Sequence, residues 1–561
     1  MPRGLPRGYG GGLIEGKYYL KSTMQDSKLS VTALFAHGAL LYPDSKVITF
    51  DGAQGVTKTY SEIANRSGQL ANALVALGIR TDDRVATFCF NHNVHLEAYL
   101  AVPSMGAILH TLNVRLFADQ LQYIINDADD KVIIADAVVL GLLVKVLKGC
   151  QSVRHVLVVG DFDPDVFGEI AAEGVSYEET IAKFAPAFQW IEPDFETDAA
   201  ALCYTSGTTG NPKGVAYSHR STWLHSLVAS SSATLAVSST DRALLVVPMF
   251  HANAWGIPYA AWMVGADMVM PSRFLQAQPL GSMIENLSPT IAVGVPTIWN
   301  DLMRHIDQNP VDFSSLRLVT SGGSAVPRSL IEAFRDKANV ELVQGWGMTE
   351  TSPVCTLGIP PRGVDAQRDI EYRVTAGRPV IGVSLRIVDA QGNVVANDGK
   401  TMGEIQVSGP WVAGSYFKDP LPENFDRGWL RTGDMGTLDS EFYLRVVDRS
   451  KDVIKSGGEW ISSVELENAI MAHPLVYEAA VVGVPDVKWD ERPLACVVTI
   501  PGSCLTASEL SEFLFDKVAK WWLPERWSFV DEIPKTSVGK FDKKILRNLY
   551  AEEKLVVIRV P

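Results

Sequence analysis

The sequence lacks the cysteine pairs and basic runs that mark several common classes of protein. Its six cysteines are scattered over 561 residues with no C-x-x-C pair, so neither a zinc site nor a disulfide framework is predicted. Acidic residues outnumber basic ones by 64 to 50, giving a formal net charge of −14. A nucleic-acid partner and attraction to an anionic membrane surface are therefore not expected.

Long apolar segments are also missing. The most apolar stretch, "AWGIPYAAWMVGA" at 254–266, contains Pro258 and is shorter than the roughly 20 residues that cross a bilayer. Residues 1–27 carry arginines and many glycines but no apolar core of a signal peptide, and we expect them to form a flexible leader. The sequence thus predicts a cytoplasmic protein with reduced thiols and no transmembrane segment.

What is present is a globular composition, with 47% hydrophobic residues in a chain too long for one core. Alternating helical patterns and β-branched runs from about residue 60 to 293 predict α/β architecture with largely parallel sheets. After about residue 376, short alternating runs predict antiparallel strands. We expect a large N-terminal domain of α/β subdomains plus a β subdomain (28–447), a hinge (448–452) and a small, mobile α+β C-terminal domain (453–561).

The stretch "YTSGTTGNPKGVAY" at 204–217 crowds glycines, hydroxyls and one lysine between two apolar runs. A Walker P-loop is excluded, because Pro212 stands where its second glycine belongs and the residues after Lys213 predict a strand rather than a helix. The remaining pattern is a strand–loop–strand anion nest with a cation beside it. On composition alone, an ordinary surface loop with nothing bound explains the stretch equally well.

The residue order of this loop resembles the signature of the adenylate-forming superfamily, which holds acyl-CoA synthetases, peptide synthetase adenylation domains and beetle luciferases. Further stretches resemble that superfamily in the same chain order: "SGGSAVP", "QGWGMTET", "WLRTGDMG", "VVDRSKDVIKSGGEW" and "IPKTSVGK". The resemblance extends from about residue 28 to 548. It implies that the loop holds the β- and γ-phosphates of ATP.

The resemblance implies a set of ATP- and AMP-binding residues in these motifs. They are Thr205, Ser206, Gly207, Thr208, Thr209, Lys213, Gly323, Ser324, Gln344, Gly345, Trp346, Thr349, Asp434, Arg449 and Lys455. Trp346 stands where the family usually has Tyr, and its larger ring still offers a face for stacking on adenine. Asp434 is expected to accept hydrogen bonds from both ribose hydroxyls.

The same resemblance implies the catalytic and metal-binding residues. Lys540 is the expected catalytic lysine, with Thr205 and Glu350 as further catalytic residues and as the ligands of Mg²⁺, which prefers one or two carboxylates plus phosphate oxygens. Further along, Lys543, Lys544 and Arg547 are expected on a solvated helix face. The sequence shows no pattern that indicates a Ser/His/Asp catalytic triad. This agrees with a reaction in which the substrate carboxylate is itself the nucleophile that attacks ATP.

Residues for the acid and for CoA are implied by the branch of the family that the sequence resembles. In "VVPMFHANAWGIPYA", His251 and Ala252 are expected in the acyl site and Trp255 as its gate, although an ordinary core tryptophan is the alternative for Trp255. Lys451 is the expected hinge residue. Gly457, Gly458 and Trp460 are expected to line the CoA channel.

The activity implied by the resemblance is ATP-dependent, AMP-forming ligation of a medium- or long-chain fatty acid to CoA through an acyl-adenylate. Mg²⁺ is the implied cofactor, ATP and CoA are co-substrates, and a homodimer is expected. A ligase for a methylthio- or aromatic acid and a luciferase-like adenylating enzyme are alternatives. A catalytically silent nucleotide-binding regulatory protein is the alternative outside the enzymes.

Overall fold

The computed structural model describes residues 13–14, 17–18, 22–168, 170–205, 211–419, 424–457, 459–535 and 541–560. Elements are numbered in chain order. The first are β1 (Leu13–Ile14), β2 (Lys17–Tyr18), α1 (Val31–Leu41), β3 (Lys46–Thr49), β4 (Val56–Thr59) and α2 (Tyr60–Ala76). Helix α2 begins at a capping box, in which the Thr59 hydroxyl accepts from the Glu62 N–H and the Glu62 carboxylate accepts from the Thr59 N–H. Most of the predicted leader lies outside the described residues.

The first large sheet has the strand order β11–β10–β6–β5–β7–β8–β9. Its strands and the helices between them are β5 (Arg84–Phe88), α3 (Asn93–Ser104), β6 (Ile108–Thr111), α4 (Ala118–Ala128), β7 (Asp130–Asp136), α5 (Leu140–Leu147), β8 (His155–Val159), β9 (Glu173–Ser176), α6 (Tyr177–Ile181), β10 (Ala199–Tyr204) and β11 (Gly214–Ser218). The pairs are parallel except β10 with β11. The predicted strand–loop–strand around the phosphate loop is therefore confirmed.

The second large sheet has the order β18–β17–β16–β15–β14–β12–β13–β3–β4 and is parallel from β16 to β3. Its elements are α7 (His219–Ala229), β12 (Arg242–Leu245), α8 (Ile257–Val264), β13 (Asp267–Met270), α9 (Ala277–Leu287), β14 (Ile291–Gly294), α10 (Pro296–His305), β15 (Leu318–Gly322), α11 (Arg328–Ala333), β16 (Glu341–Gly347), β17 (Val354–Leu357), α12 (Ala366–Arg373) and β18 (Arg378–Pro379). Strand β15 ends at the "SGGSAVP" turn and β16 at "QGWGMTET". Both motifs thus lie at carboxyl ends of parallel strands, where open α/β sheets bind ligands.

The predicted β subdomain is an antiparallel sheet. It contains β19 (Ser384–Val388), β20 (Gly403–Ser408), β21 (Phe425–Asp426), β22 (Trp429–Leu438) and β23 (Leu444–Arg449). Strand β23 runs into the segment 448–452 that the sequence predicts as a hinge.

The C-terminal part has its own sheet and core. Its elements are β24 (Ile454–Ser456), β25 (Glu459–Ile461), α13 (Ser463–Met471), β26 (Val476–Asp486), β27 (Asp490–Thr499), α14 (Ala507–Leu514), β28 (Arg526–Phe529), α15 (Lys543–Ala551) and β29 (Ile558–Arg559). Leu466, Leu510 and Trp527 are fully buried in this core. The mixed α/β fold class with a small α+β C-terminal domain is confirmed. Among the described helices, none is long and apolar enough to cross a bilayer.

Helix α15 corrects one expectation. Lys543 does not lie on a solvated face: its side chain is only 11% exposed, and its Nζ lies 2.8 Å from the Glu467 carboxylate on α13. One turn later, Arg547 Nη1 lies 2.9 Å from the Asp452 carboxylate. The reason is that α15 packs on β26 with its 543 and 547 side chains directed at α13 and the end of the predicted hinge, whereas Lys544 is exposed as expected.

Candidate active site

A cavity of about 610 Å³ lies where the carboxyl ends of β15 and β16 meet the β10–β11 loop and the β subdomain. Many of the residues that the motifs single out lie on its wall. They are Thr205, Lys213, His251, Ala252, Trp255, Gly323, Gly345, Trp346, Thr349, Glu350, Arg449 and Lys451. Segments separated by more than 200 residues therefore converge on one space.

The two ends of the phosphate loop are tied together. The Thr205 N–H donates to the Lys213 carbonyl (2.9 Å), and the Lys213 N–H donates to Thr205 Oγ1 (3.1 Å). Lys213 Nζ lies 4.6 Å from the centre of the Tyr416 ring and 3.5 Å from the Asp419 carboxylate. The half-exposed cation is thus held on the cavity wall. Ser206, Gly207, Thr208 and Thr209 lie outside the described residues.

Glu350 is a buried carboxylate on the same wall. Its Oε1 accepts a hydrogen bond from the Tyr416 hydroxyl (2.8 Å), and burial raises its pKa while that hydrogen bond opposes the rise. Thr205 accepts one hydrogen bond and keeps a second lone pair on its hydroxyl oxygen. One carboxylate and one hydroxyl beside open space fit Mg²⁺, which takes its other ligands from phosphate and water.

Asp434 lies beside the cavity, between two residues of its wall. The Trp346 Nε1–H donates to Asp434 Oδ2 (3.0 Å), and Arg449 Nε lies 2.9 Å from Asp434 Oδ1. Asp434 and Arg449 are register partners in β22 and β23. The tryptophan that departs from the family pattern therefore supplies a donor that orients the carboxylate expected to bind ribose.

Gln344 hydrogen-bonds the turn that contains Gly323, at the carboxyl ends of the parallel strands. Gln344 Oε1 accepts from the Val326 N–H (2.7 Å), so this buried side chain supports the turn 322–326. Gly323 has a φ of +83° on the cavity wall, a conformation that favours glycine. Ser324 is exposed in the same turn.

The other end of the cavity is apolar and its backbone is strained. Around His251, Ala252 and Trp255 the wall is formed by Val228, Ala229, Leu235, Ile257 and Leu357. Residues 252–255 all have left-handed φ values, between 42° and 57°. A non-glycine residue in this conformation costs roughly 1–2 kcal/mol, so the surroundings must hold the turn in place.

His225 also lies at the apolar end, and sequence reasoning did not find it. Its Nε2 accepts from the Val354 N–H (3.3 Å), and burial lowers its pKa to about 4, so the ring is neutral at pH 7. Tyr416 and Tyr217 were missed as well; the Tyr217 hydroxyl donates to the Thr349 carbonyl (2.6 Å). No local pattern marks these three residues, because their roles depend on contacts with distant segments.

Three of the predicted residues of the small domain are described, and none of these three lies on the cavity wall. Lys455, Gly457 and Trp460 lie on the β24–β25 hairpin, with Lys455 Nζ 5.3 Å from the centre of the Trp460 ring. The Gly457 N–H donates to the Trp489 carbonyl (2.8 Å), and Trp460 and Trp489 are each 40% exposed. Gly458 and Lys540 lie outside the described residues.

Comparison with known protein families finds two family models that match this chain. A model described as AMP-binding enzyme matches residues 35–417, and one described as AMP-binding enzyme C-terminal domain matches residues 465–540. The chain belongs to the AMP-binding enzyme family. The first match covers the cavity residues from Thr205 to Tyr416, and the second begins on α13.

Individual members of the family match along nearly the whole chain. A 3-methylmercaptopropionyl-CoA ligase of Ruegeria lacuscaerulensis is 42% identical over 94% of this chain and 98% of its own length. A long-chain-fatty-acid–CoA ligase of Thermus thermophilus is 42% identical over 94% of this chain and 97% of its own. The crystal structure of an anthranilate CoA ligase with anthranoyl-AMP is similar with a TM-score of 0.85 at 26% identity, covering 94% of this chain and 98% of that one. The chain is thus an AMP-forming acyl-CoA ligase.

Proposed function

We propose that the enzyme activates a medium- or long-chain aliphatic acid with ATP and transfers the acyl group to CoA. The observation that carries this proposal is the single cavity with two chemically different ends. One end offers Lys213, Glu350 and Arg449, which suit the phosphates and ribose of a nucleotide. The other is lined by Val228, Leu235 and other aliphatic side chains, which suit an acyl tail.

In the first half-reaction, a carboxylate oxygen of the acid attacks the α-phosphorus of ATP, and the bond to the bridging oxygen breaks as pyrophosphate leaves. Lys213 and the loop that Thr205 closes hold the departing phosphates. Trp346 stacks on adenine, and Asp434, oriented by Trp346 and Arg449, binds the ribose hydroxyls. Lys540 stabilises charge that develops between acid and phosphate.

Thr205 and Glu350 are the residues proposed to hold Mg²⁺. When bound, the ion neutralises charge on the phosphate oxygens during the displacement. Glu350 must be ionised to act as a ligand, and the Tyr416 hydroxyl favours that form. Tyr416 is therefore a positioning residue of the proposed metal site.

In the second half-reaction, the CoA sulfur attacks the acyl carbon and the bond to the AMP oxygen breaks. The small domain is proposed to rotate about Lys451, which withdraws Lys540 and brings Gly457, Gly458 and Trp460 to frame the CoA channel. Lys455 moves with this hairpin. One cavity then serves both steps through domain movement.

A panel of acids tests this function. Straight-chain acids of increasing length, 3-methylthiopropionate and benzoate are compared by acid-dependent ATP–pyrophosphate exchange and by CoA-dependent AMP release. We expect both signals with aliphatic acids and the highest kcat/KM for a medium or long chain. Preference for benzoate contradicts the aliphatic assignment. If none of the acids supports ATP–pyrophosphate exchange, the result contradicts an active enzyme.

A second candidate substrate is 3-methylthiopropionate. It is favoured by the 42% identity to the Ruegeria enzyme, which equals the identity to the long-chain Thermus enzyme. The same panel separates the two, because a methylthio-acid ligase loses activity as the chain lengthens. We also propose a cytoplasmic homodimer, which sedimentation and cell fractionation test.

A further inference from the structure

The segment that carries Trp255 is one turn of left-handed backbone. Residues 252, 253, 254 and 255 have φ values of 42°, 50°, 47° and 57°. L-residues visit this region singly rather than in runs, so a turn of this kind persists only when its neighbours fix it. Ala252 and Ala254 are buried and carry only methyl groups, which leaves Asn253 as the polar side chain of the buried part of the turn.

Asn253 is buried and its Oδ1 faces donors from two neighbouring strands. Cys203 Sγ lies 3.2 Å away and the Thr111 hydroxyl 3.4 Å away. The Tyr99 hydroxyl also lies 3.4 Å away, but it donates to the Met249 carbonyl. Cys203 and Thr111 are register partners in the parallel strands β10 and β6, near their carboxyl ends. The root of the turn is thus fastened to the strand that ends at Tyr204, directly before the phosphate loop.

Beyond Trp255 the chain turns at Gly256 into α8, whose first residues are buried. A Cβ at Gly256 would lie 2.6 Å from His225 Nδ1, and that nitrogen has no hydrogen-bond partner in the described structure. The Trp255 ring lies over Gly322, where an added Cβ would approach it to 3.2 Å. The tryptophan is therefore held by packing of its ring and of α8, and Asn253 is the polar side chain that anchors its turn.

We propose that Asn253 is the positioning residue of the turn that carries Trp255 at the apolar end of the cavity, and so sets the enzyme's discrimination between long and short acids. This inference rests on the proposed function. Asn tolerates left-handed backbone better than other non-glycine residues, and its side-chain oxygen links the turn to β6 and β10. Under that function, a long acyl chain fills the apolar end of the cavity beside Trp255, whereas a short acid stays nearer the phosphate end. Loss of the link therefore affects long acids selectively.

The test is Asn253→Gly, which keeps a residue suited to left-handed backbone and removes the side-chain link together with the small volume of the buried amide. The matched control is Asn339→Gly, because Asn339 is also left-handed (φ 54°) but exposed and remote from the cavity. The two acids are a long and a short member of whichever class the wild-type enzyme accepts. We expect the ratio of kcat/KM for the long acid to that for the short acid to fall about 5- to 20-fold, through KM for the long acid, as expected for a lost buried hydrogen-bond network. KM for ATP and the control variant stay within about twofold of wild type.

An equal loss with both acids, or a wild-type ratio, overturns the inference, since a purely structural role does not distinguish acids. If Asn253→Gly does not fold, Cys203→Ala removes one donor from the opposite side and leaves the turn intact. The same ratio must then fall by about two- to threefold, and an unchanged ratio overturns the inference. Failure of the proposed function is visible separately, in the acid panel of the wild-type enzyme.

Discussion

The two domains hold their proposed functional residues in different ways. In the large domain, Glu350 and Asp434 are buried and bonded to neighbours that also border the cavity. In the small domain, Lys455 and Trp460 stand exposed on a hairpin away from the cavity. The buried groups of the large domain fit a preformed binding site, whereas the proposed mechanism requires the exposed groups of the small domain to move.

The contacts between the domains support this contrast. The Ser462 hydroxyl donates to the Val447 carbonyl (2.6 Å), and the Ser463 N–H donates to the Asp448 carboxylate (2.9 Å). These bonds lie beside the predicted hinge, so the proposed rotation about Lys451 would break them. An enzyme that uses two positions of the small domain needs contacts between the domains that can form and break at a small cost in free energy. Substitutions in each domain and at their contact test this difference.

The largest effect is expected inside the small domain, from Lys543→Met. This change leaves the buried Glu467 without its cation, and breaking a buried pair costs about 3–5 kcal/mol of unfolding free energy. Burial raises the pKa of Glu467 to about 7 even with Lys543 beside it, and loss of that cation raises the pKa further, so near pH 8 the variant must keep a proton that the wild type loses. The loss of stability is therefore larger near pH 8 than near pH 5.5, where Glu467 is neutral. Chemical denaturation at both pH values measures it.

The control for that change is Lys544→Met on the exposed face of the same helix, where a surface substitution alters stability by less than about 0.5 kcal/mol. Equal destabilisation by both substitutions shows that the helix, and not the buried pair, was damaged. A loss that does not depend on pH contradicts the assignment of Glu467 as the group that needs Lys543.

The next effect separates the two half-reactions. Lys540→Ala is expected to slow adenylation by about 100- to 1,000-fold, as the loss of one charge-stabilising group does in other enzymes. Thioester formation from supplied acyl-AMP and CoA is expected to continue at nearly the wild-type rate. Single-turnover measurements of each half-reaction check this, with Lys544→Ala as the control. Equal slowing of both steps contradicts a role confined to adenylation.

Much of the large domain's site follows from the sequence because each motif is a continuous segment with its own order of residues. Thr205, Lys213 and Glu350 are examples, and the alternating α/β pattern is also found in the structure. Contacts between distant segments could not be predicted, such as Asn253 with Cys203, 50 residues apart. The pairing of β3 with β13 is another case, since pairing across 221 residues leaves no local signal.

Helix α15 shows a second limit of sequence reasoning. Helical periodicity establishes that residues 543 and 547 share a face, but it does not say which neighbour covers that face. A lysine-rich segment was therefore expected to be solvated, and Lys543 is buried instead. The partner that makes this burial possible, Glu467, lies 76 residues earlier on α13.

A smaller effect is expected at the preformed site, from Tyr416→Phe. The Tyr416 hydroxyl favours the ionised form of Glu350. Its removal therefore raises the pKa of Glu350, which burial already raises. A charge-assisted hydrogen bond is worth about 1.5–3 kcal/mol, which corresponds to roughly one to two pH units. In a plot of activity against pH, the fall on the acid side therefore moves to higher pH. The rise in the Mg²⁺ concentration needed for half activity at low pH also moves to higher pH. Tyr372→Phe is the control, because its hydroxyl also donates to a glutamate, Glu441, outside the cavity.

The smallest effect is expected at the contact between the domains that lies far from the hinge. The Arg304 guanidinium lies 4.6 Å from the centre of the Tyr477 ring, and both residues are more than one-third exposed. Exposed contacts of this kind are worth at most about 1 kcal/mol, so Arg304→Ala is expected to change the ratio of the two half-reaction rates by less than about fivefold. Arg328→Ala, equally exposed within the large domain, should leave the ratio unchanged. A change above tenfold with Arg304→Ala would mean that this contact, rather than the hinge, sets the position of the small domain. The proposed difference between a fixed large domain and a moving small domain would then be wrong.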